Sequence, residues 1–153
     1  MECRRGCSGC CQQDLSLSPV EMARLLAHLE SLSTDTVARL MERARLAPDS
    51  EPSPCVLLEE DACIAYEARP IICRSHGLVI RERSLGEDHR DVCPLNFAEP
   101  AQLESVPVED VVDLERLNQM LALINSLAMP EAGQDRLSIR ETIRRWSTQR
   151  EAD

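Results

Sequence analysis

The first eleven residues hold half of the eight cysteines in this chain, together with two glycines. Cys7 and Cys10 have Cys-x-x-Cys spacing, in which two sulfurs can face one metal ion while the amides between them donate hydrogen bonds to the sulfurs. Gly9 lets the backbone turn sharply within this pair. We therefore predict a metal-ligand loop, with thiolate ligands from Cys3, Cys7, Cys10 and Cys11.

The other four cysteines form a second group in the middle of the chain, at Cys55, Cys63, Cys73 and Cys93. Adjacent side chains such as Cys10 and Cys11 usually diverge, so the N-terminal loop cannot easily close a four-coordinate site alone. We expect the two groups to share coordination, which requires a fold that returns the middle segment to the N-terminus. Eight thiolates suit two four-coordinate zinc sites, or one 4Fe–4S cluster with cysteines to spare, and the spacing does not decide between them.

Composition and charge narrow the range of functions. All seventeen basic residues are arginine, which excludes a lysine Schiff base and a P-loop lysine. The formal net charge of -10 argues against general nucleic-acid binding, because that role needs a basic face. No apolar run approaches the length of a membrane helix, and the polar N-terminal residues lack the apolar core of a signal peptide. We therefore expect a cytoplasmic protein without membrane association. In a reducing compartment, clustered cysteines indicate metal ligands rather than a disulfide framework.

Helix signals are strong between the two cysteine groups. The stretch Ser18-Pro19-Val20-Glu21 is a capping box with proline at the first helical position, and apolar residues follow it at helical spacing. A second amphipathic helix is predicted from residue 34 to just before residue 48. Residues 48–54 are rich in proline and polar residues, and we expect a loop there.

Shorter elements are predicted in the middle segment. Residues 56–58 and 63–65 can pair as a hairpin across residues 59–61, although this acidic turn lacks the usual glycine. Pro70 suits the first turn of a short helix that contains Cys73. Residues 78–80 are predicted to form a strand, and residues 86–91 a polar turn that leads to Cys93.

The C-terminal part contains no cysteine and is predicted to be helical. A helix over residues 108–127 carries an apolar stripe, which is either part of the core or the surface for a protein partner. The members of this stripe are Leu114, Leu117, Met120, Leu121 and Ile124. Proline at 130 and glycine at 133 end this helix. A last helix begins at a capping box over residues 138–141 and presents Ile139, Ile143 and Trp146.

These elements predict a mainly α fold with a small β-hairpin. The chain has one Trp, one Tyr and one Phe, so the core must consist mainly of aliphatic side chains, and a cysteine-ligated metal site would staple it. We expect a compact single domain over residues 1–153. Within it, residues 3–97 would form the metal-binding region and residues 101–153 a helical cover.

Several pieces of the sequence together form a recognisable pattern. They are Cys7-Ser-Gly-Cys10-Cys11, Cys55, the run from Cys63 to Arg74 with its Arg69-Pro70-x-x-Cys73-Arg74, and Cys93-Pro94. This pattern resembles the CxxCxxCC cysteine-cluster family, whose members are described as chelating zinc or iron. The chain departs from the family in one place, since three residues separate Cys3 from Cys7 where the family has two. The resemblance implies zinc or iron as the cofactor, with a 4Fe–4S cluster as one form of an iron centre.

Three functional hypotheses follow. In the first, the protein binds metal, Tyr66 packs beside the site, Arg69 and Arg74 offset thiolate charge or bind an anion, and His76 is either a substitute ligand or an ordinary loop histidine. The second is an iron- or cluster-dependent enzyme that acts on a protein side chain, because the resemblance extends to a domain of flagellin lysine methylases. The third is an interaction module whose protein partner binds the helix over residues 108–127.

Overall fold

Two capped helices follow the N-terminal loop in the structure, a computed structural model that describes residues 4, 6–46, 53–82, 89–97 and 99–152. Helix α1 (Pro19–Leu29) begins at the predicted capping box, where the Glu21 carboxylate accepts hydrogen bonds from the Ser18 amide and hydroxyl, both at 3.0 Å. Helix α2 (Thr34–Arg45) is capped by Ser33, whose Oγ accepts from the Thr36 amide at 3.3 Å. Both helices confirm the prediction.

The core lies between these helices and the last one, α6 (Ile139–Ala152). Strand β1 (Ser16–Leu17) pairs antiparallel with β7 (Leu137–Ser138), and the Ile139 amide donates to the Leu15 carbonyl at 2.8 Å. This pairing places α6 against α1 and α2. The largest fully buried apolar side chains of the core are Leu17, Leu25, Leu29, Leu40, Ile139 and Ile143.

The middle segment contains the predicted hairpin in a shorter form. Strand β2 (Leu58–Glu59) pairs antiparallel with β3 (Ala62–Cys63), so the strands reach one residue further toward the turn than predicted and do not include residues 56, 57, 64 and 65. Glu60 and Asp61 have φ of 49° and 57°, so the turn has two residues in the left-handed conformation, as in a type I′ turn. The sequence suggested a longer turn because it has no glycine there. The Ser8 hydroxyl donates to Asp61 Oδ1 at 2.8 Å and supports the tight turn.

A short helix and a three-stranded sheet follow the hairpin. Helix α3 (Ile71–Ser75) contains Cys73, as predicted, with Pro70 at its N-cap. Strand β4 (Ile80–Glu82) begins at the last residue of the strand predicted over 78–80. It pairs antiparallel with β5 (His89–Asp91) and parallel with β6 (Val112–Asp113). Residues 89–91 are therefore a strand and not part of a turn, while residues 86–88 and most of the predicted loop over 48–54 lie outside the described residues.

The long C-terminal helix begins later than predicted. Residues 108–110 form a single 3-10 turn, β6 follows it, and helix α5 (Leu114–Ala128) begins after Asp113, whose carboxylate accepts from the Arg116 amide at 3.0 Å. Pairing of β6 with β4 holds this stretch extended, which overrides the helical periodicity. A further short helix, α4 (Pro100–Glu104), was not predicted.

The mainly helical fold class is confirmed, with more small sheets than the single hairpin expected. The helices in the described part of the chain all lack the length or the apolar composition needed to cross a membrane.

A buried asparagine joins α5 to the first turn of α1. Asn125 is fully buried, accepts from the Val20 amide at 3.0 Å and donates to the Gly133 carbonyl at 2.6 Å. We expect Asn125→Ala to lower the free energy of unfolding by about 2 kcal/mol, because both backbone groups lose their partner. Urea unfolding would measure this, with Asn118→Ala on the exposed side of the same helix as the control. Equal midpoints for the two variants would contradict the prediction.

Candidate metal centre

Thiols from both cysteine groups line one cavity of about 570 Å³. The N-terminal loop, the hairpin and α3 all contribute to its wall. Ile139 at the start of α6 completes the wall. The cysteines that the structure brings together here are Cys7, Cys10, Cys11, Cys55, Cys63 and Cys73.

Backbone turns present the thiols of the N-terminal loop. The Cys7 amide donates to the Arg4 carbonyl at 2.9 Å, and Gly6 has φ of 91°, a conformation that favours glycine. A 3-10 turn over Gly9–Cys11 then places Cys10 and Cys11 on the cavity wall together. The Cys55 amide donates to the Cys11 carbonyl at 2.8 Å, so the two cysteine groups are joined directly through the backbone.

The middle segment positions its thiols through three different elements. Cys55 precedes the hairpin, Cys63 lies on β3, and Cys73 lies in the middle of α3. The N-terminus of α3 has no side-chain cap of its own. Instead, the first amide of this helix, at Ile71, donates to Glu21 Oε1 of α1 at 2.9 Å. The glutamate that caps α1 therefore also holds the helix that carries Cys73.

Burial disfavours ionisation of five of the thiols of this cavity. It is the main cause that raises the pKa of Cys10 from 9.0 to about 11 and the pKa values of Cys55 and Cys73 to about 12. It also raises the pKa values of Cys11 and Cys63. Neighbouring thiolates add to the effect, since a charge on Cys63 disfavours ionisation of Cys55 and Cys73. A cation in the cavity would reverse this balance, because metal ions bind the thiolate and displace the proton.

Arg69 supplies positive charge to the same thiols. Its guanidinium lies 3.6 Å from the centroid of the Tyr66 ring, and its charge lowers the pKa values of Cys11, Cys63 and Cys73 against the larger effect of burial. Tyr66 lines the cavity and is 57% exposed. That Arg69 offsets the charge of metal-bound thiolates stays a prediction.

Arg74 and His76 differ in their relation to the cavity. Arg74 does not line it and donates instead to the Arg69 carbonyl at 2.8 Å and to the Glu67 carbonyl. It therefore stabilises the turn that carries Arg69. His76 lines the cavity from the residue after α3 and has an exposed side chain.

The two remaining cysteines are Cys3 and Cys93. Cys93 follows β5 and does not line the wall. Its turn is tied to the end of α3 by Asn96, whose amide donates to the Cys93 carbonyl and whose side chain donates to the Gly77 carbonyl, both at 2.8 Å. Cys3 lies outside the described residues. Both stay predicted ligands.

The thiols line the cavity without closing on one point. Within the residues that the structure describes, no three His, Cys, Asp or Glu side chains lie close enough together to hold one ion. The described residues therefore do not form the closed set of metal ligands that the sequence predicted. A closed four-coordinate site would require these side chains to rotate toward a common point, with a metal ion replacing their protons.

Residues that support the site were missed by sequence reasoning. The capping box revealed Glu21 as a cap for α1, but nothing local indicated its bond to Ile71 across fifty positions. The bond between Ser8 and Asp61 is similarly remote in sequence and fixes the hairpin against the N-terminal loop. Both contacts depend on the return of the middle segment to the N-terminus.

The fold and the cavity define a small, mainly helical protein with a thiol-lined site built from two cysteine groups. A comparison with protein families matches residues 2–94 to CxxCxxCC, described as "Putative zinc- or iron-chelating domain". The chain belongs to this family, as its cysteine pattern predicted. Comparisons with curated proteins and with solved structures give no match.

Proposed function

We propose that this protein binds zinc or iron in the thiol-lined cavity, with thiolates from both cysteine groups as ligands. The observation that carries the proposal is the convergence of six thiols from two separate segments on one cavity. The family description independently names zinc and iron. Thiolates are the ligands that zinc and iron–sulfur centres share, so the donor set fits either metal.

The number and placement of the thiols favour a centre with more than one metal atom. A tetrahedral zinc site takes four ligands, whereas six thiols line this cavity. Cys10 and Cys11 are adjacent in one 3-10 turn, and neighbouring side chains seldom chelate the same ion. Two zinc ions or a 4Fe–4S cluster would use these thiols more completely than one ion would. Arg69 would offset part of the negative charge that such thiolate centres keep.

Metal analysis of protein purified without oxygen tests the proposal. We expect at least about one equivalent of zinc or iron per chain, bound tightly enough to survive gel filtration. Absorbance near about 400 nm would identify an iron–sulfur centre, and a colourless protein with zinc would identify the other form. Less than about half an equivalent of either metal, with all thiols free to react, would exclude the proposed function.

Two serine variants locate the centre. Cys63 lines the cavity together with thiols of both groups, so we expect Cys63→Ser to lose most of its bound metal. Cys93→Ser is the matched comparison, because Cys93 has the same chemistry but does not line the cavity, and retention of metal in this variant alone would place the centre at the cavity. Loss of metal in both variants would show that Cys93 is a further ligand. Retention in both would place the metal elsewhere.

A further inference from the structure

The thiol-lined cavity is larger than a metal centre needs. A zinc ion lies about 2.3 Å from each sulfur ligand, so such a centre occupies only the space between the thiols. The cavity volume of about 570 Å³ falls instead within the roughly 300–1,000 Å³ of small-molecule sites. Besides the thiols, its wall includes the aliphatic residues Leu15, Leu57, Leu58, Ile72 and Ile139. The cavity therefore has the volume and the apolar surface to bind an organic molecule.

Arg69 contributes hydrogen-bond donors to the wall of this cavity. Its Nε donates to the Tyr66 carbonyl at 3.1 Å, and its guanidinium carbon lies 3.6 Å from the centroid of the Tyr66 ring. Its own carbonyl accepts from Arg74 Nε at 2.8 Å, so the backbone at this position is held as well. The two terminal nitrogens, Nη1 and Nη2, form no hydrogen bond or ion pair with a residue that the structure describes. The guanidinium is thus fixed in place while its terminal donors remain available to a ligand.

The charged residues of this wall are mostly positive, although the chain as a whole has a net charge of -10. Among the described residues, Arg4 and Arg69 line the cavity, against one carboxylate, that of Asp61. This carboxylate accepts from the Ser8 hydroxyl at 2.8 Å. A cleft lined mainly by one sign of charge concentrates ions of the opposite sign. The wall therefore favours an anionic ligand.

We propose that the cavity binds a small organic acid, with its carboxylate or phosphate group on Nη1 and Nη2 of Arg69 and its apolar body against the aliphatic wall. A planar guanidinium binds either group through two parallel N–H···O hydrogen bonds. This proposal goes beyond metal binding and does not depend on it, because neither Arg69 nor the aliphatic residues are metal ligands.

Isothermal titration calorimetry of the full chain tests the site, with benzoate and phenyl phosphate as the carboxylate and phosphate probes. Benzamide is the uncharged probe with the shape of benzoate. We expect at least one acid to bind with a dissociation constant of about 1 mM or below, and benzamide to bind at least about tenfold more weakly than benzoate or not at all. The acid that binds more tightly identifies the anionic group of the ligand.

Variants of Arg69 locate the anion. Arg69→Gln should weaken binding of the tighter acid at least about tenfold, because it removes the charge and the paired donors. Arg69→Lys keeps the charge but not the planar fork, so its affinity should lie between those of the wild type and Arg69→Gln. Arg116→Gln is the matched control, since this exposed arginine of α5 does not line the cavity, and it should bind like the wild type. Urea unfolding of each variant checks that it is folded.

Two results would overturn the proposal. One is that neither acid binds up to about 20 mM, or that both bind no more tightly than benzamide, in protein purified without oxygen and in the same protein after chelator treatment. The other is acid binding that survives Arg69→Gln, since the anion would then lie elsewhere. If Arg69→Gln does not fold, Arg69→Lys answers the same question. The metal content of each sample is measured in parallel, so that acid binding by a chain without zinc or iron would exclude the proposed metal site and support this one.

Discussion

Replacing Glu21 by alanine is expected to lower the free energy of unfolding by about 3 kcal/mol and to reduce metal binding as well. The substitution leaves the Ser18 and Ile71 amides without their acceptor, and hydrogen bonds to a charged group contribute about 1.5–3 kcal/mol each. The loss at Ile71 also frees the start of α3 and therefore the position of Cys73. Urea unfolding and metal analysis would measure the two effects.

Two control variants make this experiment specific. Glu30→Ala changes an exposed glutamate at the other end of α1 and should leave both the urea midpoint and the metal content unchanged. Glu21→Gln keeps one acceptor oxygen, so its urea midpoint and its metal content should lie between those of the wild type and those of Glu21→Ala. If Glu21→Ala unfolds at the same urea concentration as Glu30→Ala, Glu21 does not stabilise the starts of both α1 and α3 as expected.

Metal-free, reduced protein should lose stability as the pH rises above about 9. The unfolded thiols ionise near 9.0, whereas Cys55 and Cys73 ionise only near 12 when folded, so above pH 9 the unfolded state binds fewer protons than the folded state. The stability that these thiols contribute is complete below pH 9 and is lost between pH 9 and 12. At pH 10 we expect a loss of about 3 kcal/mol for the two together.

Urea unfolding of the chelator-treated protein at pH 7 to 10 would measure how steeply the free energy of unfolding falls with pH. A Cys55→Ala/Cys73→Ala variant is the control, because the two thiols with the largest pKa shifts are absent, and its stability should fall less steeply with pH. Metal-loaded protein should show the opposite trend, with stability falling towards acid as protons compete for the thiolates. A metal-free protein whose stability is constant from pH 8 to 10 would contradict the proposed burial of the thiols.

Local sequence signals predicted the elements that depend on local interactions. The capping box at Ser18 and Glu21 and the start predicted at Thr34 correctly place α1 and α2. The apolar residues Ile139, Ile143 and Trp146 correctly identify the buried side of α6. The predicted start of α5 at residue 108 was wrong, because pairing with β4, more than thirty residues earlier in the chain, holds β6 extended. Helical periodicity carries no information about such a remote partner.

In the candidate site, too, the sequence predicted some features and could not show those that depend on remote contacts. The need for four-coordinate ligation predicted that the two cysteine groups meet, and six of the eight cysteines do line one cavity. The spacing of the cysteines could not show that Cys93 lies away from the cavity wall, since its position depends on the hydrogen bond from the Asn96 side chain to the Gly77 carbonyl. It also could not separate Arg69, which acts on the thiols, from Arg74, which supports the turn.

The pairing of β1 with β7 has a consequence for the order of assembly during synthesis. Ile139 on the cavity wall follows directly after β7, so the wall is incomplete until α6 has left the ribosome. Contacts between residues this far apart in sequence form late, after the local helices. Before then this part of the cavity is open to solvent, where a thiol oxidises or exchanges metal more readily. Pairing of β1 with β7 is therefore the step that completes the wall around the thiols.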